Sequence, residues 1–179
     1  MIRFKERFRT YDILQCDIRD YPKKLNMPTD ISFVILNSLE EICNLKKESN
    51  DFWEPEKLFE LAEREKGKMC ALLKKDSLVA FAVLLKQGSK STYFKISKTE
   101  VYLEGLFVYP EYRGKGYGTT FLQCMFSYIA ELWNAKEIKL CVLPDNTTAY
   151  KIYEKIGFKK VTRKTLLLIY KYKVPYYKI

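Results

Sequence analysis

Apolar positions along the chain switch between continuous runs, alternation and helical spacing, and those switches divide it into elements. ISFVIL (31–36) is a short apolar run and reads as a buried strand. Ser38 precedes Glu41 by three residues, a capping-box spacing that opens a helix reaching about Lys47. Pro55 suits a first helical turn, and Leu58, Phe59, Leu61 and Ala62 carry that helix to about Lys66. MCALLKK (69–75) and LVAFAVLLKQ (78–87), separated by Asp76-Ser77, form a hairpin, and EVYLEGLFV (100–108) is a further strand stopped by Pro110. Beyond Gly118, the residues Leu122, Met125, Phe126, Ile129, Leu132 and Trp133 share one helical face. EIKLCVL (137–143) reads as a strand, Ala149, Ile152, Tyr153 and Ile156 as a helix stopped by Gly157, and two β-rich stretches follow Phe158. Residues 1–30 look irregular, an N-terminal extension packed on one domain formed by 31–179. The order β-α-α-β-β-β-α-β-α-β-β predicts an α+β (mixed α/β) fold around a central sheet.

Between the strand 100–108 and the helix after Gly118 lies RGKGYG (113–118), and four of the seven glycines fall between Gly105 and Gly118. A strand, a glycine turn and a helix make an anion site. First-turn N–H groups lack intrahelical partners, the helix dipole favours negative charge, and glycine lets a phosphate approach the backbone. Arg113 and Lys115 add charge. A P-loop needs Ser or Thr directly after its Gly-Lys pair, and Gly116 stands there; a dinucleotide fingerprint starting at Gly114 needs glycine at the position of Thr119. Neither nucleotide motif is met.

Composition then narrows the chemistry. There is no histidine, which removes imidazole bases and the common zinc sites, so a metal is not expected and catalysis must rest on carboxylates, Tyr, Lys, Cys or backbone groups. The five cysteines are scattered without a C-x-x-C pair and read as buried thiols. The charged N-terminus has no secretory pattern and no apolar run is long enough to span a bilayer, so the expectation is a cytoplasmic protein without a membrane partner. The net charge is +10, unevenly spread. Residues 155–179 carry eight bases and no acid, whereas 38–65 carry nine acids against four bases. The basic end with its tyrosines keeps a nucleic-acid-binding module in view, though no RNA or DNA motif supports it.

Arg113-x-x-Gly116-x-Gly118, preceded by Val108-x-Pro110-Glu111-Tyr112, resembles the acetyl-CoA signature of the GCN5-related N-acetyltransferase family. Asn146-x-x-Ala149-x-x-x-Tyr153-x-x-x-Gly157-Phe158 is similar to that family's second motif. The resemblance spans about 31–170, and YLEGLFVYPEYRGKGYG looks most like the polyamine (diamine) acetyltransferase branch. It implies a central mixed, largely antiparallel sheet with helices on both faces, and acetyl-CoA as co-substrate. Backbone groups of Arg113, Gly114, Lys115, Gly116, Tyr117, Gly118 and Thr119 would hold the pyrophosphate. Phe107 and Val108 would pair with the pantetheine arm, and Asn146 would contact it. Tyr153 would be the general acid; by periodicity alone it reads as a core aromatic. Glu104 is a candidate base for the amine, and alternation puts it on the same face as Val108. Cys124 and Cys141 read as structural thiols, which favours direct transfer without an acyl-enzyme.

In the family the two early helices shape the acceptor site. Their acidic balance here, with Phe52 and Trp53 in SNDFWEPEK (49–57), predicts a cationic amine: a polyamine, an amino sugar, or a peptide lysine or N-terminus. A non-catalytic acyl-CoA sensor is the other reading of the same turn, and a homodimer is compatible with either.

Overall fold

The computed structural model describes residues 4–19, 27–45, 54–90 and 94–171, the side chains of 4–7 and 166–171 excepted. In chain order the elements are β1 (Phe4–Asp17), β2 (Ile31–Leu36), α1 (Leu39–Asn44), α2 (Pro55–Arg64), β3 (Lys68–Lys74), β4 (Ser77–Leu85) and β5 (Glu100–Val108). A 3-10 turn (Pro110–Tyr112) leads to α3 (Tyr117–Leu132), β6 (Glu137–Val142), α4 (Thr147–Ile156) and β7 (Lys159–Lys171). The strands form one sheet in the order β2-β3-β4-β5-β6-β1-β7, antiparallel except for the β5–β6 pair.

The middle of the chain follows its sequence pattern closely. Ser38 caps α1, its Oγ accepting from the Glu41 N–H at 3.1 Å, and Pro55 stands in the first turn of α2. Both faces of β4 are buried, as its unbroken apolar run requires. α3 lies over the face that carries Phe33, which meets the Phe121 ring at 6.0 Å. α2 packs on β3 and β4 and covers the other face.

Two departures matter. Residues 4–17 are not an irregular extension: they form β1, inserted between β6 and β7, where Asp12–Asp17 pair with β6 and Phe4–Gln15 with β7. From Lys159 to Lys171 the chain is one long strand, because β1 supplies a partner along nearly its whole length, and the expected second β-rich stretch beyond it lies outside the described residues. β1 is pinned through Asp12, which is 2% exposed although an acid. Arg163 reaches it from β7 with Nε at 2.6 Å and Nη2 at 2.8 Å, Lys160 Nζ lies at 2.7 Å, and the Tyr150 hydroxyl of α4 donates to it. Arg163 above all holds the Asp12 carboxyl well below the usual carboxylate range, against burial.

The second departure lies inside β5. Val83 opposes Glu104 and Phe81 opposes Phe107, so two residues of β5, Gly105 and Leu106, face Ala82 alone. This is a bulge with Gly105 at φ +64°, and Leu58 of α2 fills the space where a Cβ would stand, its Cδ1 at 2.8 Å. The bulge flips the alternation: Glu104 shares a face with Phe107, not with Val108.

Gly105→Ala is expected to lower the unfolding free energy by about 1–3 kcal/mol, from left-handed strain plus displacement of Leu58, as read by denaturant titration. Asp12→Asn is expected to cost about 2 kcal/mol near neutral pH. Because the folded pKa of Asp12 is depressed, its stabilisation is present above the unfolded value of about 4 and is lost as pH falls below it, so the difference between variant and parent should shrink in acid.

Candidate active site

β5 and β6 hydrogen-bond as parallel partners only from Glu100–Glu137 to Leu103–Leu140. Beyond that pair the strands part, and residues 104–108 have β4 on one side and an open edge on the other. The joined end is fastened by an ion pair between Lys139 and Glu100, both mostly buried; burial pushes the Glu100 carboxyl up, but Lys139 and the Ser97 N–H hold it below its ordinary value. The parted end opens toward the glycine turn.

At that turn the first intrahelical bond of α3 runs from the Thr120 N–H to the Gly116 carbonyl, at 3.1 Å. The N–H groups of Tyr117, Gly118 and Thr119 therefore have no helical acceptor and point outward. Gly114 and Gly116 have φ of +72° and +86°, and nothing lies within 4 Å of where their Cβ atoms would be, so a ligand can approach this backbone closely. Gly118 serves packing: Ile152 and Val108 stand 3.6 and 3.7 Å from its would-be Cβ. Arg113 and Lys115 fold back on the turn. Arg113 Nε donates to the Val108 carbonyl at 2.9 Å with its guanidinium over Phe107, and Lys115 Nζ donates to the Glu111 carbonyl at 2.8 Å. Glu111 Oε1 is buried without a hydrogen-bond partner, an acceptor held beside the cradle.

Tyr153 is buried on α4 with its ring edge-on to Phe158 at 5.5 Å. Burial first, and then the nearby Glu104 charge, push its hydroxyl up to about 12. Glu104 is thus near Tyr153. Burial raises the Glu104 pKa, and a hydrogen bond from Tyr102 partly offsets this. The same hydroxyl bonds Cys141 of β6, whose thiol burial pushes up to about 12. Cys124 is likewise raised to about 11, so both thiols stay protonated and are poor nucleophiles. Asn146 caps α4, its Oδ1 accepting from the Ala149 N–H at 3.1 Å, and sits on the β6 side of the gap.

Sequence reasoning placed the turn, Glu104, Asn146 and Tyr153, and the fold gathers them around one gap. It missed Tyr102, two residues from Glu104 on the same face, which the spacing alone could have flagged. Phe52 and Trp53 lie outside the described residues. Among the described residues there is no metal-binding group of His, Cys, Asp or Glu and no helix long and apolar enough to cross a membrane.

A glycine cradle at a helix start, an open strand edge and an acid–tyrosine pair lie together where β5 and β6 part. Residues 36–158 match the model of the acetyltransferase (GNAT) family, and the chain belongs to that family. It is 34% identical over 59 residues to the spermine/spermidine N(1)-acetyltransferase of Bacillus subtilis (strain 168), covering 33% of this chain and 39% of that protein. It is 41% identical over 54 residues to an N-alpha-acetyltransferase of Sulfurisphaera tokodaii, 30% of this chain and 32% of that one. The chain therefore matches well under half the length of these curated relatives. Among solved structures, Ard1 from Thermoplasma volcanium superposes with a TM-score of 0.57 at 18% identity, covering 79% of this chain and 98% of that one. A GCN5-related N-acetyltransferase from Kribbella flavida gives 0.55 at 15% identity, covering 92% and 59%. These two share the fold.

The Glu104 carboxyl, followed by carbon-13 NMR, is expected to titrate above the ordinary value of about 4.3, and in Tyr102→Phe higher still, since the lost hydrogen bond favours the charged form. A midpoint at or below the ordinary value in the parent would show that Glu104 is not desolvated.

Proposed function

We propose that this protein transfers an acetyl group from acetyl-CoA to a primary amine by direct attack, without an acyl-enzyme. The observation that carries this reading is the placement of Glu104 and Tyr153 about the single parting of β5 and β6, beside a glycine cradle with outward N–H groups. The residues present fit CoA: the first-turn N–H groups of α3 would take the pyrophosphate, and the open edge at Phe107 and Val108 would take the pantetheine amides as an added strand. Acetyl-CoA supplies the activated acyl carbon. Glu104 accepts the proton of the attacking amine, directly or through a water, as the N–C bond forms. Tyr153 gives its proton to the sulfur as the C–S bond breaks. The proton on Glu104 then returns to Tyr153 and resets the pair. Tyr153 suits the acid role because its raised pKa keeps it protonated at any physiological pH.

For the acceptor, the reading is an amine bearing a second positive charge. The acids Glu40, Glu41, Glu54, Glu56, Glu60 and Glu63 on and beside α1 and α2 support it, as Leu58 brings α2 against the bulge next to Glu104. The spermine/spermidine enzyme named above is a relative with such an acceptor.

The test is thiol release from acetyl-CoA across a panel of diamines and monoamines. Tyr153→Phe is expected to lower kcat by about 10²–10⁴-fold with CoA binding retained. Cys141→Ala and Cys124→Ala are expected to keep turnover. Full activity in Tyr153→Phe removes the acid assignment, and loss of turnover in a folded cysteine variant overturns direct attack.

A further inference from the structure

β1 carries the sheet past the point where β6 ends. Ile13 pairs with Cys141 and Asp12 with Val142, the last residue of β6, while β1 and β7 stay paired as a two-stranded ribbon out to Phe4–Lys171. Directly paired residues share a face, so the face that carries Glu104 and Tyr102 can be followed across the sheet. Tyr102 pairs with Lys139, Cys141 lies two residues on, Ile13 pairs with Cys141, and Thr162 pairs with Ile13. One row further toward the parted end, Tyr11 pairs with Lys164, and Arg9 follows two residues along β1.

This row stands one step past Val142 on the face that carries Glu104 and Cys141. Lys164 is exposed, and Arg9 and Tyr11 are partly so. The Lys164 charge is close enough to act on Cys141, which is itself close enough to feel Glu104. Two walls on the Glu104 face of the sheet therefore differ in sign: the exposed acids of α2, and Arg9 and Lys164 on the ribbon. A simple polyamine would meet repulsion on the ribbon side. An amine that also carries an anionic oxygen group would be oriented by both walls, its nitrogen toward Glu104.

We propose, building on the acetyl-transfer reading, that Arg9 and Lys164 bind an anionic group of the acceptor, so that the substrate is a zwitterionic amine such as a diamino acid rather than a free polyamine. The anion is a carboxylate or a phosphate, and matched acceptor pairs separate the two. Lysine and cadaverine differ by one carboxylate, and phosphoethanolamine and ethanolamine by one phosphate. In the thiol-release assay, the charged member of at least one pair is expected to exceed its partner in kcat/KM by about ten-fold. A lysine preference assigns a carboxylate and a phosphoethanolamine preference a phosphate. Lys164→Glu and Arg9→Glu should collapse that ratio toward one by raising KM for the anionic acceptor. Lys164→Met, which keeps an apolar stem without charge, should do so more weakly, and circular dichroism confirms the fold of each. Turnover in which cadaverine and ethanolamine equal or exceed their anionic partners overturns this inference and leaves acetyl transfer standing. Ratios unchanged in folded Lys164→Glu and Arg9→Glu overturn the assignment to the ribbon. No thiol release with any of the four amines, where another diamine of the wider panel turns over, overturns this inference alone, and no release with any amine of the panel removes the acetyl-transfer reading as well.

Discussion

The parting of β5 and β6 after Leu103–Leu140 is the constraint around which the other parts are arranged. Two adjacent parallel strands normally continue to satisfy each other's backbone groups, so a gap in mid-sheet must be held open from outside. On the β5 side the bulge at Gly105 turns the strand, and Leu58 of α2 occupies the hollow that this leaves. On the β6 side the strand ends at Val142, opposite the Asp12 that ties β1 to α4 and β7. The Glu100–Lys139 pair closes the other end, so the strands diverge from a fixed point rather than drifting apart. A carboxylate and a tyrosine reach this gap from β5 and α4.

The chemistry of the site follows from burial acting on two groups of the same type of charge. Ionising either Glu104 or Tyr153 places a negative charge near the other, so each disfavours the ionised form of its neighbour. Burial pushes both groups up, and the Glu104 charge pushes the Tyr153 hydroxyl further, so that hydroxyl stays protonated over the physiological range. In the proposed transfer, a chain without histidine would thereby have its proton acceptor and its proton donor in one place.

Much of this was legible in the residues. Elements from β2 to α4 follow hydrophobic period, capping residues and turn glycines, all of which are local. β1 was hidden because Lys5, Glu6, Arg7 and Arg9 interrupt its apolar pattern, and because a buried Asp12 looks like a surface residue until Arg163, some 150 positions away in the chain, is placed against it. The relation of Glu104 to Val108 was misread since strict alternation was assumed across Gly105, although a glycine inside a strand pattern is itself the signature of a bulge. The Tyr102–Cys141 contact and the wall formed by Arg9 and Lys164 depend on the register between strands distant in sequence, which no local pattern encodes.

The position of β1 also bears on how the chain acquires its structure. Its partners are Glu137–Val142 and Lys159–Lys171, so β1 precedes the other described strands and yet is among the last to find its neighbours. From β2 to β5 each strand pairs with the next one in the chain and can form early, whereas closing β1 onto β7 orders a loop of nearly all the described residues. Until then β6 lacks its partner on the side away from β5, so the frame that holds the parting of β5 and β6 is completed only in the final step of assembly.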